Sequence, residues 1–531
     1  MIRHAEKESG RLMGFSWKIG YVDLNKSTAD IETVPSEWRR RFLGGRGVNA
    51  YLSLKNLRKD PVLSKPENVI ALGAGVLSGF GAGPLECAGF STRFPLTDRY
   101  GFAAIPGGFG TGMRWAGFDH LIISGKAKHP VYLLLKDSGV QFLDARHLKG
   151  KSVSESIEMI RDEIKRSDFH AVAIGPAGEN RVYFADAATE EGWRFGKTGA
   201  GAALGSKNIK AVVCCGIRDI PVKHPGKLLN LLKDIFDAMV ASGVPDLIDK
   251  KRIGRDLRVY SITRALGMDF QTSLDALTWA AQLAKFDVLS KQTNMRLDIS
   301  VSEKNDPTPF LMRIAAGKGS AAPWGWGPLK AAEKFGHESL KYFPSPEALL
   351  RIYAEEPFDP MDSRRWTLFF PDGGACKEGT SETRGKYNSE KQKRSPFQIH
   401  GRTLPAETVE NLIANCLGIG TLRLSWDPAG EIHLKTFRNL VQFSVGLEFS
   451  ETELVEIAFR TYAMEHLLNV REAARESVTP SIFKYFEGDD LKRFKALIKK
   501  MGPKSGWDKR SLFKKHVFKE LQIEDLWPLK R

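Results

Sequence analysis

The glycine-rich stretch from Gly175 to Gly216 restricts the fold of this chain more than any other segment. Two glycine-dense turns, Gly175–Gly178 and Gly196–Gly205, flank the apolar run Val182–Ala185, and the apolar run Ala211–Cys215 follows. Glycines at this density allow backbone N–H groups to approach a large anion, or allow strands to pack without intervening side chains. The spacing alone does not choose between these two interpretations.

Two common phosphate-binding motifs do not fit this stretch. Gly196–Thr198 looks like the end of a Walker A motif, but Glu191 stands where that motif requires its first glycine. A dinucleotide fingerprint fails too, because Gly205 is not at the place where a glycine must follow Gly199–Gly201. The glycines therefore indicate neither a P-loop nor a simple Rossmann turn.

Length and composition indicate a globular protein of several domains. The chain has 531 residues, of which 42% are hydrophobic and 27% charged. A chain of this length accommodates about two to four domains with substantial cores. No apolar run reaches the roughly 18–20 residues that span a bilayer, and the N-terminus lacks the apolar core of a signal peptide. We therefore expect a cytoplasmic protein without a membrane span.

The five cysteines are too few and too scattered for a disulfide framework. No two of them have the CxxC spacing that is typical of zinc or iron–sulfur sites, so the spacing predicts no metal ligands. Cys214 and Cys215 lie in an apolar run that we interpret as a buried strand. Packing in the core is the role we expect for both.

The formal charge of +16 suggests acidic partners: nucleic acid, anionic lipid or an acidic redox protein. The basic residues are spread along the chain and concentrate in tails and loops, which is typical of solvated surface. No RNP, zinc-finger or helix-turn-helix signature accompanies them. Nucleic-acid binding is therefore disfavoured.

The first part of the chain has the patterns of a β-rich domain. We expect residues 1–12 to be a disordered tail, and alternating apolar residues predict two strands joined by a turn over Trp17–Val34. Gly44–Gly47 opens a helical pattern, and Ser152–Glu155 has the capping-box pattern of a helix start. We predict a β-rich domain over residues 13–216.

The rest of the chain has mainly helical patterns. Leu228–Met239 and Leu274–Leu283 have helical periodicity. The polar, basic segment Lys377–Pro405 predicts a mobile loop. We predict two mostly helical domains, residues 217–400 and 401–531. The fold class is therefore α+β, with an N-terminal β-rich double-sheet domain followed by two mostly helical domains.

Several segments of the first 216 residues occur in the order found in one enzyme family. They are Gly44–Gly47, Phe94–Thr97, Gly107–Gly110, Ala116–Asp119, Lys126–Tyr132, Gly175–Asn180 and Gly205–Ala211. These segments resemble the N-terminal domain of the aldehyde:ferredoxin oxidoreductase family of tungsten-pterin enzymes. The resemblance implies a β-sheet base that carries a metal held by two pterin dithiolenes, with helical domains closing over it.

Two segments of the second half resemble the pterin-contact motifs of that family. Leu266–Asp269 resembles the end of DxxGLD, and Asn415–Gly420 resembles DxxGLC. Arg264 and Asn415 stand in the places of the leading aspartates. The resemblance implies cofactor contacts at Cys87, Gly107, Gly108, Gly196, Lys197, Gly199, Gly201, Arg264, Gly267, Asp269, Asn415 and Gly418.

This sequence departs from the family where iron and catalysis are concerned. The clustered cysteines that hold a [4Fe–4S] cluster are missing, and Gly420 replaces the last of them, so we predict that the cluster is absent. Cys87 aligns with the arginine that bridges cluster and pterin. Lys377 takes the place of the metal-side histidine and is the candidate catalytic base, although an ammonium with a pKa of about 10 needs burial for that role.

Two functions of different classes follow from the resemblance. The first is a divergent oxidoreductase that binds a tungsten- or molybdenum-bis-pterin and oxidises an aldehyde or related oxo compound, with an acidic redox protein as electron partner. The second is a non-catalytic homologue that carries the cofactor or serves as a structural subunit beside an active paralogue. A homo-oligomer is compatible with either function.

Overall fold

The structure is a computed structural model that describes residues 18–59, 69–97, 99–194, 199–241, 250–286, 288, 306–344, 396–400, 402–404, 406–420, 433–473, 515–520 and 522–526. The strands of its N-terminal part are β1 (Lys18–Asp23), β2 (Thr28–Thr33), β3 (Ile70–Ala74), β4 (Cys87–Phe94), β5 (Arg99–Pro106), β6 (His120–Ser124), β7 (Val131–Lys136), β8 (Gly139–Asp144), β9 (Phe169–Ile174), β10 (Ala187–Thr189) and β11 (Ile209–Cys215). Further along lie β12 (Phe397–Ile399) and β13 (Arg402–Leu404).

The helices begin with α1 (Ser36–Phe42), α2 (Gly45–Lys59), α3 (Phe109–Trp115), α4 (Val153–Ile164), α5 (Pro176–Glu179) and α6 (Ala200–Ser206). After β11 come α7 (Pro225–Ala241), α8 (Lys250–Leu266), α9 (Phe270–Lys285), α10 (Thr308–Ala316), α11 (Pro328–Phe335), α12 (Ala406–Leu417), α13 (Leu434–Val445), α14 (Glu451–Ala473) and α15 (Lys515–Glu520). Short 3₁₀ turns lie at Gly83–Leu85, Arg146–Leu148, Gly319–Trp326, His337–Tyr342 and Glu524–Leu526. Among the described helices, none is both long enough and apolar enough to cross a bilayer.

Two sheets face each other in the N-terminal part. One is six-stranded with the order β2-β1-β6-β3-β4-β5, and the other is five-stranded with the order β10-β9-β11-β7-β8. Leu72 and Phe90 of the first sheet share a buried cluster with Leu133 and Val172 of the second, so the core lies between the sheets. The predicted double-sheet domain and the α+β fold class are confirmed, whereas the domain boundaries stay predictions.

Local sequence signals begin several elements where they were expected. The Ser152 hydroxyl accepts from Glu155 N and the Glu155 carboxylate accepts from Ser152 N, which completes the capping box of α4. The predicted strand pair is β1 and β2, and the Gly44–Gly47 pattern opens α2. Cys214 and Cys215 are fully buried in β11, as expected.

The prediction of a loop before α12 is wrong for the last part of that segment. The segment Lys377–Pro405 was expected to be a polar loop, yet β12 and β13 pair as an antiparallel hairpin in which Phe397 stands opposite Leu404. Arg402 Nη1 donates to Glu520 Oε2 at 3.0 Å and connects this hairpin to α15. Residues 377–395, 401 and 405 of this segment lie outside the described residues, as does the predicted tail 1–12.

The helices form two groups that contact different parts of the sheet domain. Helices α8–α11 share a core with Ala177, Phe184 and Ala185, which lie between β9 and β10. Helices α12–α14 share another core with α2 and with Ala71 of β3. The first group of helices therefore packs beside the five-stranded sheet, and the second group packs beside the six-stranded sheet.

Candidate functional site

The turn that follows α8 packs directly on the backbone of the sheet domain. Gly267 has a φ of 69°, and a Cβ added there would lie 2.8 Å from Gly175 N. Asp186 N donates to Gly267 O at 2.8 Å, and Met268 forms an antiparallel bridge with Ala185. Both the positive φ and the close approach require glycine at position 267.

The turn that follows α12 is built in the same way on the other sheet. Gly418 has a φ of 81°, and a Cβ there would lie 2.9 Å from Gly75 Cα. Cys87 N donates to Gly418 O at 2.8 Å, and Ile419 forms an antiparallel bridge with Glu86. Glycine is again required by the backbone itself.

The two turns are repeats of one structure. In each, the glycine N–H donates to the third residue before it: Gly267 to Arg264 O at 3.3 Å, and Gly418 to Asn415 O at 3.4 Å. The equivalent pairs are Gly175 and Gly75, Ala185 and Glu86, Asp186 and Cys87, Arg264 and Asn415, and Gly267 and Gly418. The sheet domain therefore presents two related cradles. The first consists of Gly175, Ala185 and Asp186 and is covered by the turn at Gly267. The second consists of Gly75, Glu86 and Cys87 and is covered by the turn at Gly418.

The Arg264 side chain donates two hydrogen bonds within the first cradle. Its Nη1 donates to Tyr260 Oη at 2.8 Å, and its Nη2 donates to Gly192 O at 3.1 Å. Arg194 binds the same turn, because its Nη2 donates to Arg264 O at 2.6 Å and its Nη1 to Met268 O at 3.2 Å. This cradle thus holds its own turn with two cations.

Asp269, a predicted cofactor contact, caps a helix. Its Oδ1 accepts from Thr272 N at 2.8 Å and from Thr272 Oγ1 at 2.6 Å, which satisfies a free donor at the start of α9.

Gly199 and Gly201, two further predicted cofactor contacts, have structural reasons for being glycine. A Cβ would lie 2.2 Å from Tyr183 O at Gly199, and 2.3 Å from Asp186 O at Gly201. These positions follow the strand-packing interpretation of the glycine-rich stretch.

Asn415 differs from its counterpart in the first cradle. The residue is 1% exposed, and neither its Oδ1 nor its Nδ2 has a hydrogen-bond partner among the described residues. A buried polar group without a partner costs about 1–3 kcal/mol. The second cradle therefore keeps an amide donor group and an acceptor oxygen that the described part of the chain does not use.

Cys87 and Cys416 flank this second cradle as neutral thiols. Both are fully buried, and burial raises the pKa of the Cys416 thiol to about 12. Burial also raises the pKa of the Cys87 thiol, and the nearby Glu86 carboxylate adds to the rise. Neither thiol ionises near neutral pH by itself.

Gly107 and Gly108, at the start of α3, lie between the two cradles. Gly107 N donates to Glu86 O at 3.1 Å, and Gly108 N donates to Glu191 Oε1 at 3.4 Å. A Cβ at Gly107 would lie 2.2 Å from Glu191 Oε2. The Glu191 carboxylate therefore packs directly against the turn that was predicted to contact the cofactor.

Glu86 is the buried acid of the second cradle. It is 7% exposed, its Oε1 accepts from Thr111 Oγ1, and its carboxylate also accepts from Gly79 N. Burial raises the pKa of Glu86 to about 7, although both hydrogen bonds act to lower it. The charges of Arg114 and His170 also act to lower it.

His170 lies on the other side of α3. Its Nδ1 is 2.8 Å from Glu190 Oε1, and a Cβ at Gly108 would lie 2.6 Å from its Cε1. Burial acts to lower the pKa of His170, but Glu190, Glu191 and Glu86 outweigh it and the pKa is raised.

Sequence reasoning missed Glu86, His170 and Glu191, because none of them lies in a motif. The available signal was the repeat, since Gly75 and Gly175 each follow a buried strand directly. The predicted contacts Gly196 and Lys197 and the candidate base Lys377 lie outside the described residues. Within the described ranges, no group of three or more His, Cys, Asp or Glu side chains is placed to hold a metal ion.

We expect Gly418→Ala to destabilise the fold more than Gly81→Ala does. Both glycines have a positive φ, of 81° and 78°, so both variants carry the same conformational strain. A Cβ at Gly81 meets nothing within 4 Å, whereas at Gly418 it meets Gly75 Cα at 2.9 Å. The extra loss should be about 1–3 kcal/mol in urea unfolding. Equal losses would show that the Gly75 contact relaxes without cost.

Comparison with curated proteins finds tungsten enzymes. The chain is 34% identical over 241 residues to the tungsten-containing aldehyde ferredoxin oxidoreductase of Pyrococcus horikoshii, an alignment that covers 44% of this chain and 39% of the relative. It is 36% identical over 234 residues to the enzyme of the same name from Pyrococcus furiosus, which covers 42% of this chain and 38% of that protein. The matched part therefore spans about two fifths of these relatives.

Comparison with solved structures and with families covers more of the chain. The active site complex BamBC of benzoyl coenzyme A reductase, in complex with 1,5-dienoyl-CoA, superposes with a TM-score of 0.69 and 18% identity, over 97% of this chain and 98% of that chain. This likeness shows the fold. Residues 19–216 match the aldehyde ferredoxin oxidoreductase N-terminal domain, and residues 249–523 match domains 2 and 3 of the same family. The chain belongs to the aldehyde ferredoxin oxidoreductase family.

Proposed function

We propose that this chain binds a tungsten- or molybdenum-bis-pterin between the sheet domain and the two helical turns, and oxidises an aldehyde or a related oxo compound. The relatives named above are tungsten-containing aldehyde oxidoreductases. The proposed site is formed by the two cradles around Gly267 and Gly418.

The observation that carries the proposal is the unpaired amide of Asn415. A pterin ring presents N–H donors and ring acceptors, and the buried amide offers both an acceptor and a donor. The amide also stands at the first position of the turn that resembles a pterin-contact motif. A ligand that pairs with it would remove the cost of burying it. The residues of the second cradle therefore fit the cofactor.

When bound, the metal–pterin group supplies two-electron redox chemistry. The chain contributes a water-poor site, since Asn415 and Cys87 are at most 1% exposed and Glu86 is 7% exposed. It contributes a hydrogen-bonding amide from Asn415 and a carboxyl group at Glu86. In this proposal an acidic redox protein accepts the electrons, and the net charge of +16 favours its docking.

Metal and pterin content of the native protein tests the proposal. We expect about one tungsten or molybdenum and two pterins per chain after purification without air. Elemental analysis together with fluorescence of the oxidised pterin measures both quantities. Protein that contains neither metal nor pterin, from cells that supply both, would contradict the proposal.

We expect Asn415→Leu to remove the cofactor without harming the fold. Leucine has nearly the shape of asparagine, and replacing an unpaired buried amide by an apolar group leaves stability unchanged or raises it by about 1–3 kcal/mol. Loss of the amide contact should lower metal and pterin content at least about tenfold. Urea unfolding of the cofactor-free variant and elemental analysis of the loaded one check both parts. A strongly destabilised variant would show that the amide has a structural partner.

The bonds of Arg264 favour a second candidate, a non-catalytic homologue that carries the cofactor or serves as a structural subunit beside an active paralogue. A guanidinium can only donate hydrogen bonds, and this one already donates to Tyr260 Oη and Gly192 O. The first cradle therefore offers little to a pterin N–H. Protein that retains metal and pterin but turns over no aldehyde would favour this candidate.

A further inference from the structure

The segment Arg181–Phe184 leads from the surface to the first cradle. Exposure alternates along it: Arg181 is exposed and Tyr183 partly exposed, whereas Val182 and Phe184 are 2% and 1% exposed. The side chains of Arg181 and Tyr183 therefore face outward while their neighbours pack in the core. Ala185 of the first cradle comes next, so Tyr183 lies only two residues from it, a span of at most about 7 Å.

The end of α10 brings further cations to this segment. Asn180, which precedes Arg181, donates through Nδ2 to Ala315 O at 2.9 Å in the last turn of the helix. Arg313 lies in the same last turn, and Lys318 follows the helix after one glycine. Both side chains are exposed, so the cations of α10 and Arg181 lie in one region of the surface.

Helix α11 brings cations to the other end of the segment. Lys330 Nζ donates to Tyr183 Oη at 2.6 Å and lies 5.0 Å from the centroid of the tyrosine ring. Lys334 lies one turn further along the same side of the helix and is exposed, with the exposed acid Glu333 beside it. We call the exposed cations of this region the basic face: Arg181, Arg313, Lys318, Lys330 and Lys334.

The surface beside the second cradle has a different charge. A Cβ at Gly83 would lie 3.4 Å from the ring of Phe236, so α7 packs on the loop that leads to Glu86. Positive and negative side chains balance in α7, where Lys233 Nζ pairs with Asp237 Oδ2 at 3.0 Å. An anionic protein is therefore attracted to the basic face more than to α7.

We propose that the basic face is the docking surface of the acidic redox protein that accepts electrons from the site. This inference rests on the proposed function. Oxidation of an aldehyde, RCHO + H2O → RCOOH + 2e⁻ + 2H⁺, releases two protons to solvent and two electrons, which reduce two molecules of a one-electron acceptor. Electron transfer weakens steeply with distance, so the acceptor has to dock near the bound group. Tyr183 connects the basic face to the first cradle, where half of that group would lie.

The composition of the basic face suits a protein better than a nucleic acid. Met312 is 52% exposed and adds apolar surface next to Arg313. Methionine, tyrosine and arginine are enriched at protein interfaces. Binding of single-stranded nucleic acid uses exposed aromatic rings on which bases stack, whereas Lys330 lies over the ring of Tyr183.

Binding of a strongly acidic ferredoxin to the full chain at low salt tests the surface. The double variant Lys318→Glu with Lys334→Glu should raise the Kd at least about tenfold and weaken its dependence on salt. The control is Lys26→Glu with Lys233→Glu, which changes the net charge equally at lysines that are 76% and 71% exposed and lie outside the basic face. Calorimetric titration of the three proteins measures the Kd, and the control should remain close to wild type.

Three results would overturn the docking surface. The first is a wild-type chain that does not bind the ferredoxin at low salt. The second is an equal loss of affinity in both double variants, because net charge alone would then explain it. The third is oligo(dT) that displaces the ferredoxin and loses its own binding when Lys318 and Lys334 are replaced, which would make the face a nucleic-acid site.

Kinetics separates the docking surface from the proposed function. If the wild-type protein oxidises an aldehyde with a small viologen dye as acceptor, the proposed function stands. The Lys318→Glu and Lys334→Glu double variant should then raise the KM for the ferredoxin at least about tenfold, and the control should leave it unchanged. An unchanged KM in the first variant would overturn the surface alone. Protein without metal or pterin that still binds the ferredoxin through the basic face would support the surface and contradict the oxidation.

Discussion

Arg46→Met should lower the free energy of unfolding by about 3–5 kcal/mol. Arg46 at the start of α2 is bidentate to Glu465 of α14, with Nε–Oε1 at 2.8 Å and Nη2–Oε2 at 2.9 Å. Both side chains are 1% exposed. Methionine keeps most of the volume but leaves the Glu465 carboxylate buried without its main counter-charge, which is the costly change. The pair joins the sheet domain to the helices that carry the second cradle.

The double variant Arg46→Met with Glu465→Leu should regain most of this loss, because removing both charges avoids the desolvation cost of either. Arg146→Met is the control, since Arg146 pairs with Asp144 at the surface, where both side chains are largely exposed. That variant should change little. Urea unfolding of all four proteins gives the comparison. A double variant as unstable as Arg46→Met would show that the cost comes from packing instead of charge.

Sequence patterns predicted the helix starts that are determined by residues close together in the chain. The capping box at Ser152 depends on residues three positions apart, and the Gly44–Gly47 start of α2 on a glycine turn before a helical pattern. The hairpin at Phe397–Leu404 was missed because its few apolar residues stand within a polar, basic segment. Its contact with α15 joins Arg402 and Glu520, which are far apart in the chain.

The site itself could be predicted only in outline. The resemblance named Gly267 and Gly418, but it did not show that each packs on the backbone of a matching glycine, Gly175 or Gly75. The sequence showed that Arg264 and Asn415 replace the leading aspartates of the two motifs. Its consequence was not, because it depends on Tyr260 and other partners that only the folded chain brings together.

Glu86 was invisible to sequence analysis for a further reason. A glutamate in a strand-rich region is usually solvated, and nothing local marks this one as buried. Its environment comes from Thr111 of α3, from the Gly79 N–H and from the bridge to Ile419, which belong to separate segments. The pKa of a side chain is a property of the assembled site, so a motif search does not find it.

Glu86→Gln should change the way stability depends on pH. Because burial raises the folded-state pKa of Glu86 from 4.5 to about 7, the folded protein holds a proton that the unfolded chain releases between these pH values. The stability from this carboxyl group is fully present below pH 4.5 and is lost as the pH rises through 7. The loss amounts to about 3 kcal/mol, since one pKa unit corresponds to about 1.4 kcal/mol.

Glutamine has no carboxyl proton to lose. As the pH rises from 4.5 to 8, the free energy of unfolding of the variant should therefore increase by about 3 kcal/mol relative to that of wild type. Urea unfolding of both proteins at the two pH values measures the difference, and subtracting wild type cancels the titration of the other groups. His170→Gln should enlarge the wild-type pH dependence, because losing the positive charge raises the pKa of Glu86 further. A difference between Glu86→Gln and wild type that is the same at both pH values would mean that the pKa of Glu86 is not raised by folding, so that Glu86 is ionised in the folded protein at neutral pH. The second cradle would then hold a fixed negative charge instead of a proton that can be exchanged.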